Sequence, residues 1–353
     1  MTVESSASTA FRPGFPSWPE FPNAAKSNVH AVHAQLLFTQ WMAPEVFQYF
    51  QMGQVENLLR STGKHAPFYR DSLGFLDKLP KRGLYEQHLA YLPILSYADL
   101  QKHGQKIIIR KPLPGQGKTR MTELSKLAGA PIRILSNGLL DTWNHALSLR
   151  SQDWHGMDVS LAHLDICASI REKKNVDERW SVLPWTGPSS TLFVDRSVEK
   201  LFEEFIQIAP DYLRTLPGIL QSFIEISISR GLKPVNLRQV HCRTGYLDPE
   251  LRELAEKAWG VPIIHEVFVN GIGVIAQQCP DNNNLHIQSE FVRVEILDDT
   301  NQPCQAGQKG RIVVTPLHNY QTPLIRFDTG HHAEMGDPCS CGRTLPVLLN
   351  PGQ

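Results

Sequence analysis

Near the C-terminus the chain reads CSCGRTLP over residues 339–346, and upstream QQCPDNNNLHI sets Cys279 seven residues before His286. Cys279, His286, Cys339 and Cys341 together offer three thiolates and one imidazole, the donor set of a closed, four-coordinate zinc site with a structural role. Neither pair is diagnostic alone, since Cys-x-Cys is an unusual zinc spacing and the halves stand far apart in sequence. Two pairs of buried thiols are the competing reading. A second candidate group is LRQVHC (237–242), a strand pattern ending in His241 and Cys242. Open parallel sheets present ligands at strand carboxyl ends, where the Cys242 thiol can take an acyl group covalently, unless it is a plain core cysteine. Successive strand residues face opposite ways, so His241 and Cys242 are not expected to act as a pair.

The elements that must position these groups follow from pattern. PEVFQYFQMGQVENLL (44–59) has helical apolar spacing, broken at Pro67. Ser96 caps a short helix from Tyr97, and Asp99 adds negative charge to its first turn. KIIIRKPLPGQGKTR (106–120) predicts a short β-branched strand running into a Pro/Gly loop, and APIRILS (130–136) a second strand. VEKLFEEFIQIAPDYLRTLPGILQSFIEI (198–226) predicts two amphipathic helices. GPSSTLF (187–193), LPGIL (216–220) and RSQDWHGMD (150–158) are expected as loops. DPELRELAEKAWG (248–260) is a capped helix followed by the strand VPIIHEVFV, which with LRQVHC makes a strand–helix–strand unit of a parallel sheet. From Leu285 the texture changes to short strands and turns, LHIQSEFVRVEILDD, NQPCQAG and KGRIVVTPL, which suggests an antiparallel sheet or small barrel. Residues 1–28, rich in Ser, Ala and Pro, read as an arm.

With 35 basic and 35 acidic residues the chain carries no net charge, and so lacks the electrostatic footprint of a nucleic-acid binder. No apolar run reaches the roughly 18 residues of a membrane span, and the N-terminus shows no basic start followed by an apolar stretch. The expectation is a cytoplasmic protein with six reduced cysteines and no disulfides. A length of 353 residues allows two or three domains or one large α/β domain.

The stretches HAPFYR, LPILSYADL, DPELRELAEKAWGVPI, IAQQCPDNNNLHIQSEFVRVEIL, GQKGRIVVTPL, TPLIRFDTG and CSCGRTLP, in that order, resemble the phenylacetate-CoA ligase branch of the adenylate-forming enzymes. This resemblance implies an α/β fold: the N-terminal core of an adenylate-forming enzyme, with mixed and parallel sheets flanked by helices, plus a β-rich subdomain. Domain bounds are then an arm at 1–28, the core at 29–280 and the β-rich part with the zinc site at 281–353, with no counterpart of the relatives' C-terminal lid. Similar positions in that branch carry Cys and His, which favours zinc over buried thiol pairs. Family members activate an acyl or aryl carboxylate as its adenylate with ATP and magnesium, then pass it to coenzyme A.

Five features of that nucleotide chemistry are eroded here. A phosphate loop needs small residues and hydroxyls so that backbone N–H groups can wrap the triphosphate. LSKLAGAP (124–131) keeps Ser125, Gly129 and Pro131 but places Leu124, Lys126, Leu127 and Ala128 among them. The Tyr-Gly-x-x-Glu segment falls on VFVNG (267–271), without its ring or its carboxylate. Arg-Tyr-x-Thr-Gly-Asp reads RFDTGH, so Arg326 and Thr329 remain as remnants of the nucleotide site, as Gly129 does, while His331 replaces the ribose-binding acid. A Gly-Glu pair becomes Gly245-Tyr246, and the lysine of the lid has no counterpart. The expectation is a degenerate homologue without a working ATP site. It would act on small aryl or acyl thioesters as an ATP-independent transferase from coenzyme A to an acyl carrier protein in polyketide biosynthesis. His331 is the candidate base and Cys242 the candidate nucleophile. Two alternatives stay open: a non-catalytic accessory partner of a carrier protein or its phosphopantetheinyl transferase, and an ATP-dependent aryl-CoA ligase with unusual motifs.

Overall fold

A computed structural model of the chain describes residues 23–111, 113–124, 131–167, 181, 183 and 186–352. Asn23 accepts a hydrogen bond from the Lys26 N–H and starts α1 (Ala24–Thr39), so helix begins inside the stretch expected as an arm. Pro44 opens α2 (Pro44–His65) at the position where a missing N–H costs nothing. A one-turn α3 (Glu86–Leu89) precedes α4 (Tyr97–Ile107), which carries the expected Ser96–Asp99 capping box. The strand expected from residue 106 is absent: Lys106 and Ile107 complete α4, and Ile109 makes a single ladder-like bond to the Gln321 carbonyl. Ile107 and Ile109 are β-branched because they are core residues, both being buried.

Next comes a hairpin of β1 (Arg120–Leu124) and β2 (Ile132–Ser136), followed by α5 (Gly138–Trp154), whose last turn takes up residues 150–154 of the expected loop. The chain then alternates through β3 (His163–Cys167), β4 (Ser189–Phe193), α6 (Val198–Ile208), β5 (Tyr212–Thr215), α7 (Pro217–Arg230), β6 (Gln239–Thr244), α8 (Pro249–Trp259) and β7 (Ile263–Val269). Thus GPSSTLF contains a strand, LPGIL opens a helix, and YLRT is a strand hidden between two strong helical patterns. Asp248 and Gly260 cap α8 as expected, Gly260 at φ +75°. The antiparallel part adds β8 (Gly273–Gln278), β9 (Leu285–Ile287), β10 (Val292–Leu297), β11 (Gly310–Pro316), β12 (Phe327–Gly336) and β13 (Val347–Gly352).

Eleven of these strands form one sheet, ordered β10-β11-β12-β13-β9-β8-β7-β6-β5-β3-β4. From β4 to β7 it is parallel, and from β7 onward every pair is antiparallel. β8 pairs with β9 across residue 280, so the β-rich part continues the core sheet. Strand alternation divides the parallel half into two faces. Leu164, Ile166, Leu213, Val240, Cys242 and Ile263 meet α6, α7 and α8 in one apolar core built around Phe202, Phe205, Phe223 and Trp259. The other face carries His163, Asp165, Arg214, His241, Arg243 and Glu266, beneath α5.

Arg150 holds α5 to this sheet. Its side chain is fully buried and donates to Glu290 Oε1 (2.6 Å), Gln288 Oε1 (2.8 Å) and the Leu36 carbonyl (2.8 Å), so α1, α5 and the β9–β10 connection share one cation. Among the described residues no helix is long and apolar enough to cross a membrane.

Candidate functional site

Cys279 ends the β8 side of the β8–β9 turn and His286 lies on β9, while Cys339 and Cys341 lie in the loop between β12 and β13. Because β9 is hydrogen-bonded to both β8 and β13, these segments are brought side by side, and the four ligand atoms all lie within 4.8 Å of one another. Cys339 and Cys279 sulfurs stand 3.9 Å apart, and His286 Nε2 lies 3.4 Å from Cys341 Sγ. A tetrahedral zinc with Zn–S bonds of about 2.3 Å sets its sulfurs about 3.8 Å apart, so the donor spacing fits.

The surroundings fit as well. His286 Nδ1–H donates to the Leu345 carbonyl (3.1 Å), which leaves Nε2 with its lone pair facing the thiols. The backbone N–H groups of Asp281 and Arg343 donate to the sulfurs of Cys279 and Cys341, both at 3.4 Å. Burial opposes ionisation of Cys339, but hydrogen bonds from the Cys341 backbone and from Asn282 and Asn284 outweigh it and hold its thiol at about 7. Burial pushes the Cys279 thiol up to about 12, a level at which a cation is needed to deprotonate it. Arg343 lies between Trp41 and Trp154, 4.9 Å from each ring, and donates to Gln40 Oε1 (3.2 Å), tying the cysteine loop to the α1–α2 corner.

Cys242 sits on the apolar face of β6, fully buried, and burial pushes its thiol up to about 12. This corrects the nucleophile expectation: a neutral thiol packed among Leu213, Val240 and Ile263 can neither ionise nor reach a substrate. His241 lies on the opposite face, as alternation requires, and is also buried.

His331 lies on β12 and its ring packs on Gly245, where a Cβ would come within 2.3 Å of His331 Cε1. Tertiary folding therefore joins two positions that the sequence reading placed at one nucleotide. Burial lowers the pKa of His331 below its ordinary value despite a hydrogen bond with the Gly352 backbone, so the ring is neutral at pH 7. Its Nδ1 has no hydrogen-bond partner. Arg326 and Thr329 are committed internally. Arg326, at φ +49°, donates to the carbonyls of Leu89 (3.1 Å) and Leu92 (2.7 Å) and pairs with Glu295. Thr329 Oγ1 donates to the Ile312 carbonyl (2.9 Å). Gly271, at φ +87°, lies against the β1 backbone, where a Cβ would come within 2.8 Å of the Glu123 carbonyl oxygen, so the hairpin leading into the phosphate-loop stretch abuts the end of VFVNG. Gly129 lies outside the described residues.

No family model matches the chain. In sequence it is similar to the phenylacetate-coenzyme A ligase of Thermus thermophilus, 27% identical over 143 residues, which cover 38% of this chain and 32% of that protein. The chain thus matches about a third of the length of that curated relative. In structure it superposes on 2-hydroxyisobutyryl-CoA ligase in complex with 2-HIB-AMP and CoA, with a TM-score of 0.69 at 16% identity, over 88% of this chain and 69% of that one. The same ligase in its postadenylation state gives a TM-score of 0.69 at 17% identity, over 87% and 67%. The fold is that of 2-hydroxyisobutyryl-CoA ligase.

In this chain the polar face of the parallel sheet is the feature the sequence reading missed. Arg243 Nε donates to Glu266 Oε2 (2.6 Å), Ser151 of α5 donates to Glu266 Oε1 (2.9 Å), and Arg214 pairs with Asp165. Burial opposes ionisation of both acids, yet Arg214 and Arg243 hold Asp165 and Glu266 at about 2. Burial takes His163 and His241 down to about 3, so both rings are neutral. Strands buried on both sides ordinarily read as near-continuous apolar runs. Charged residues at alternate positions of HLDIC, YLRT, QVHCRT and IIHEVFV were the available signal.

Proposed function

We propose that this chain handles acyl thioesters without ATP, moving an acyl group from coenzyme A to the pantetheine thiol of an acyl carrier protein. The observation that carries the reading is His331, a neutral imidazole at the ribose-acid position, packed on Gly245. In the proposed step the incoming thiol gives its proton to the imidazole and its sulfur attacks the acyl carbonyl carbon. The carbon–sulfur bond to coenzyme A then breaks, and the departing thiolate takes the proton back. One thioester replaces another, and with Cys242 buried the exchange is direct. Cys279, His286, Cys339 and Cys341 would hold a structural zinc that stabilises the β12–β13 loop and takes no part in this step. A cytoplasmic setting and a place in polyketide biosynthesis belong to the same proposal.

Intact-mass analysis of a holo carrier protein, incubated with this protein and acyl-CoA or free acid, each with and without ATP, tests the reading. Loading from acyl-CoA in the absence of ATP is expected. Loading only from free acid plus ATP would instead establish a ligase. A non-catalytic accessory role is favoured by one further observation: Phe38, Trp41, Val46, Tyr49 and Phe50 are exposed at the adjoining ends of α1 and α2, a surface suited to a carrier protein or its phosphopantetheinyl transferase. Complex formation with no loading would select that role.

A further inference from the structure

The cleft between α5 and the polar face of the parallel sheet supplies no group to the proton and thioester steps just described, although two ion pairs and two histidines gather there. Its walls are Arg214, which pairs with Asp165, the pair Arg243–Glu266, the neutral rings of His163 and His241, and on the helix side Ser148, Ser151 and Gln152. Among the described residues Met157 is the one apolar side chain lining it. Glu266 is 2% exposed and His241 6%, while the side chains of Arg214 and Arg243 are partly exposed. The free space among these groups is about 20 Å³, room for about one water.

With Asp165 counted as the partner of Arg214, two arginines and two carboxylates sum to zero, and the neutral histidines add nothing. An ion entering would arrive without a counter-charge and would have to displace a formed pair. An alkyl or phenyl group would strip water from three charged side chains and return no hydrogen bond. An uncharged hydroxyl, amine or amide replaces the water, donating to Glu266 or accepting from Arg243 or Gln152. Arg243 lies next to the carboxyl end of β6, the end at which an open parallel sheet presents its ligand.

We infer that this cleft selects a small acyl group bearing an uncharged hydrogen-bonding substituent, such as a hydroxyacyl thioester, and rejects plain alkyl and aryl acyl groups. The inference rests on the thioester reading above, and binding is therefore measured apart from transfer. Titration calorimetry of the full chain with the N-acetylcysteamine thioesters of 3-hydroxybutyrate, butyrate and succinate is the experiment. The hydroxybutyryl compound should bind at least about tenfold more tightly than the butyryl one, the discrimination of one satisfied hydrogen bond.

Replacing both partners by R243M/E266M, which leaves no orphaned charge, should bring the two to parity. Ser151→Ala, a milder change, should narrow the gap about threefold if the double variant does not fold. Equal or tighter butyryl binding, tightest binding by the anionic succinyl compound, or no binding by any of the three would overturn the inference. A protein that binds the hydroxyacyl compound yet loads no carrier protein keeps this inference and loses the transferase reading. One that loads butyryl and hydroxybutyryl groups equally does the reverse.

Discussion

At the scale of single residues, position in the fold separates side chains that sequence had treated alike. Cys242 and His331 were both candidates for chemistry. One is sealed in the apolar core and the other lies half-buried at the contact of β12 with Gly245. Cys242→Ala should leave loading unchanged and cost about 1 kcal/mol, the penalty for a small core cavity, read from denaturant unfolding beside the loading assay. Loss of loading in a folded variant would return Cys242 to the mechanism. His331→Gln should lower the loading rate about a hundredfold, an ordinary share for a general base, with little change in melting temperature. A base works in its neutral form, and burial lowers the pKa of His331 from 6.5. The rate should therefore hold as pH falls to 6.5 and decline only below it. A pH profile with its acid limb centred at or above 6.5 would argue that another group is the base.

At the scale of elements, the four-ligand cluster depends on three strands arranged out of chain order. β9 lies between β8 and β13, and this places residues 279–286 beside 339–341. Sequence supplied the donor types; the juxtaposition came from the register Val347↔His286. Purified protein should contain about one zinc per chain by elemental mass spectrometry, and Cys339→Ser should reduce that below a tenth. Chelation should also change tryptophan fluorescence, because Arg343 is clamped between Trp41 and Trp154 next to the cluster. An unchanged spectrum on full zinc removal would show that the loop does not depend on the metal. Arg150 is the second device at this scale. Replacing it with Met should cost about 3–5 kcal/mol, because Glu290 would be left buried without its cation. A drop under 1 kcal/mol in unfolding free energy would contradict that.

For the whole molecule, the buried ionisable groups set how stability responds to acid. His163, His241, His265 and His318 are buried neutral rings with pKa values of about 3 or 4, so the unfolded chain takes up their protons first. Stability falls as pH drops below the unfolded histidine value of 6.5, by about 1.4 kcal/mol per pH unit for each such ring. Asp165 and Glu266, depressed to about 2, add their loss only below the unfolded carboxylate range, near pH 4. Unfolding followed from pH 8 to pH 3 should show a decline that begins near 6.5. A plateau down to pH 4.5 would mean that the histidines are not held neutral. The sequence by itself determined the capped helices α4 and α8, the strands β6 and β7 and the short antiparallel strands between 285 and 317, the donor set of the cysteine cluster and the kinship of the fold, because caps, period-2 alternation and short motifs are local signals. Only the tertiary structure decided that Cys242 is core, that His331 meets Gly245, that β5 is a strand between two helices, and that five polar residues spread over residues 163–266 share one cleft. Each of those outcomes depends on which face of which strand meets its neighbour, and pairing across the sheet fixes that where local pattern does not.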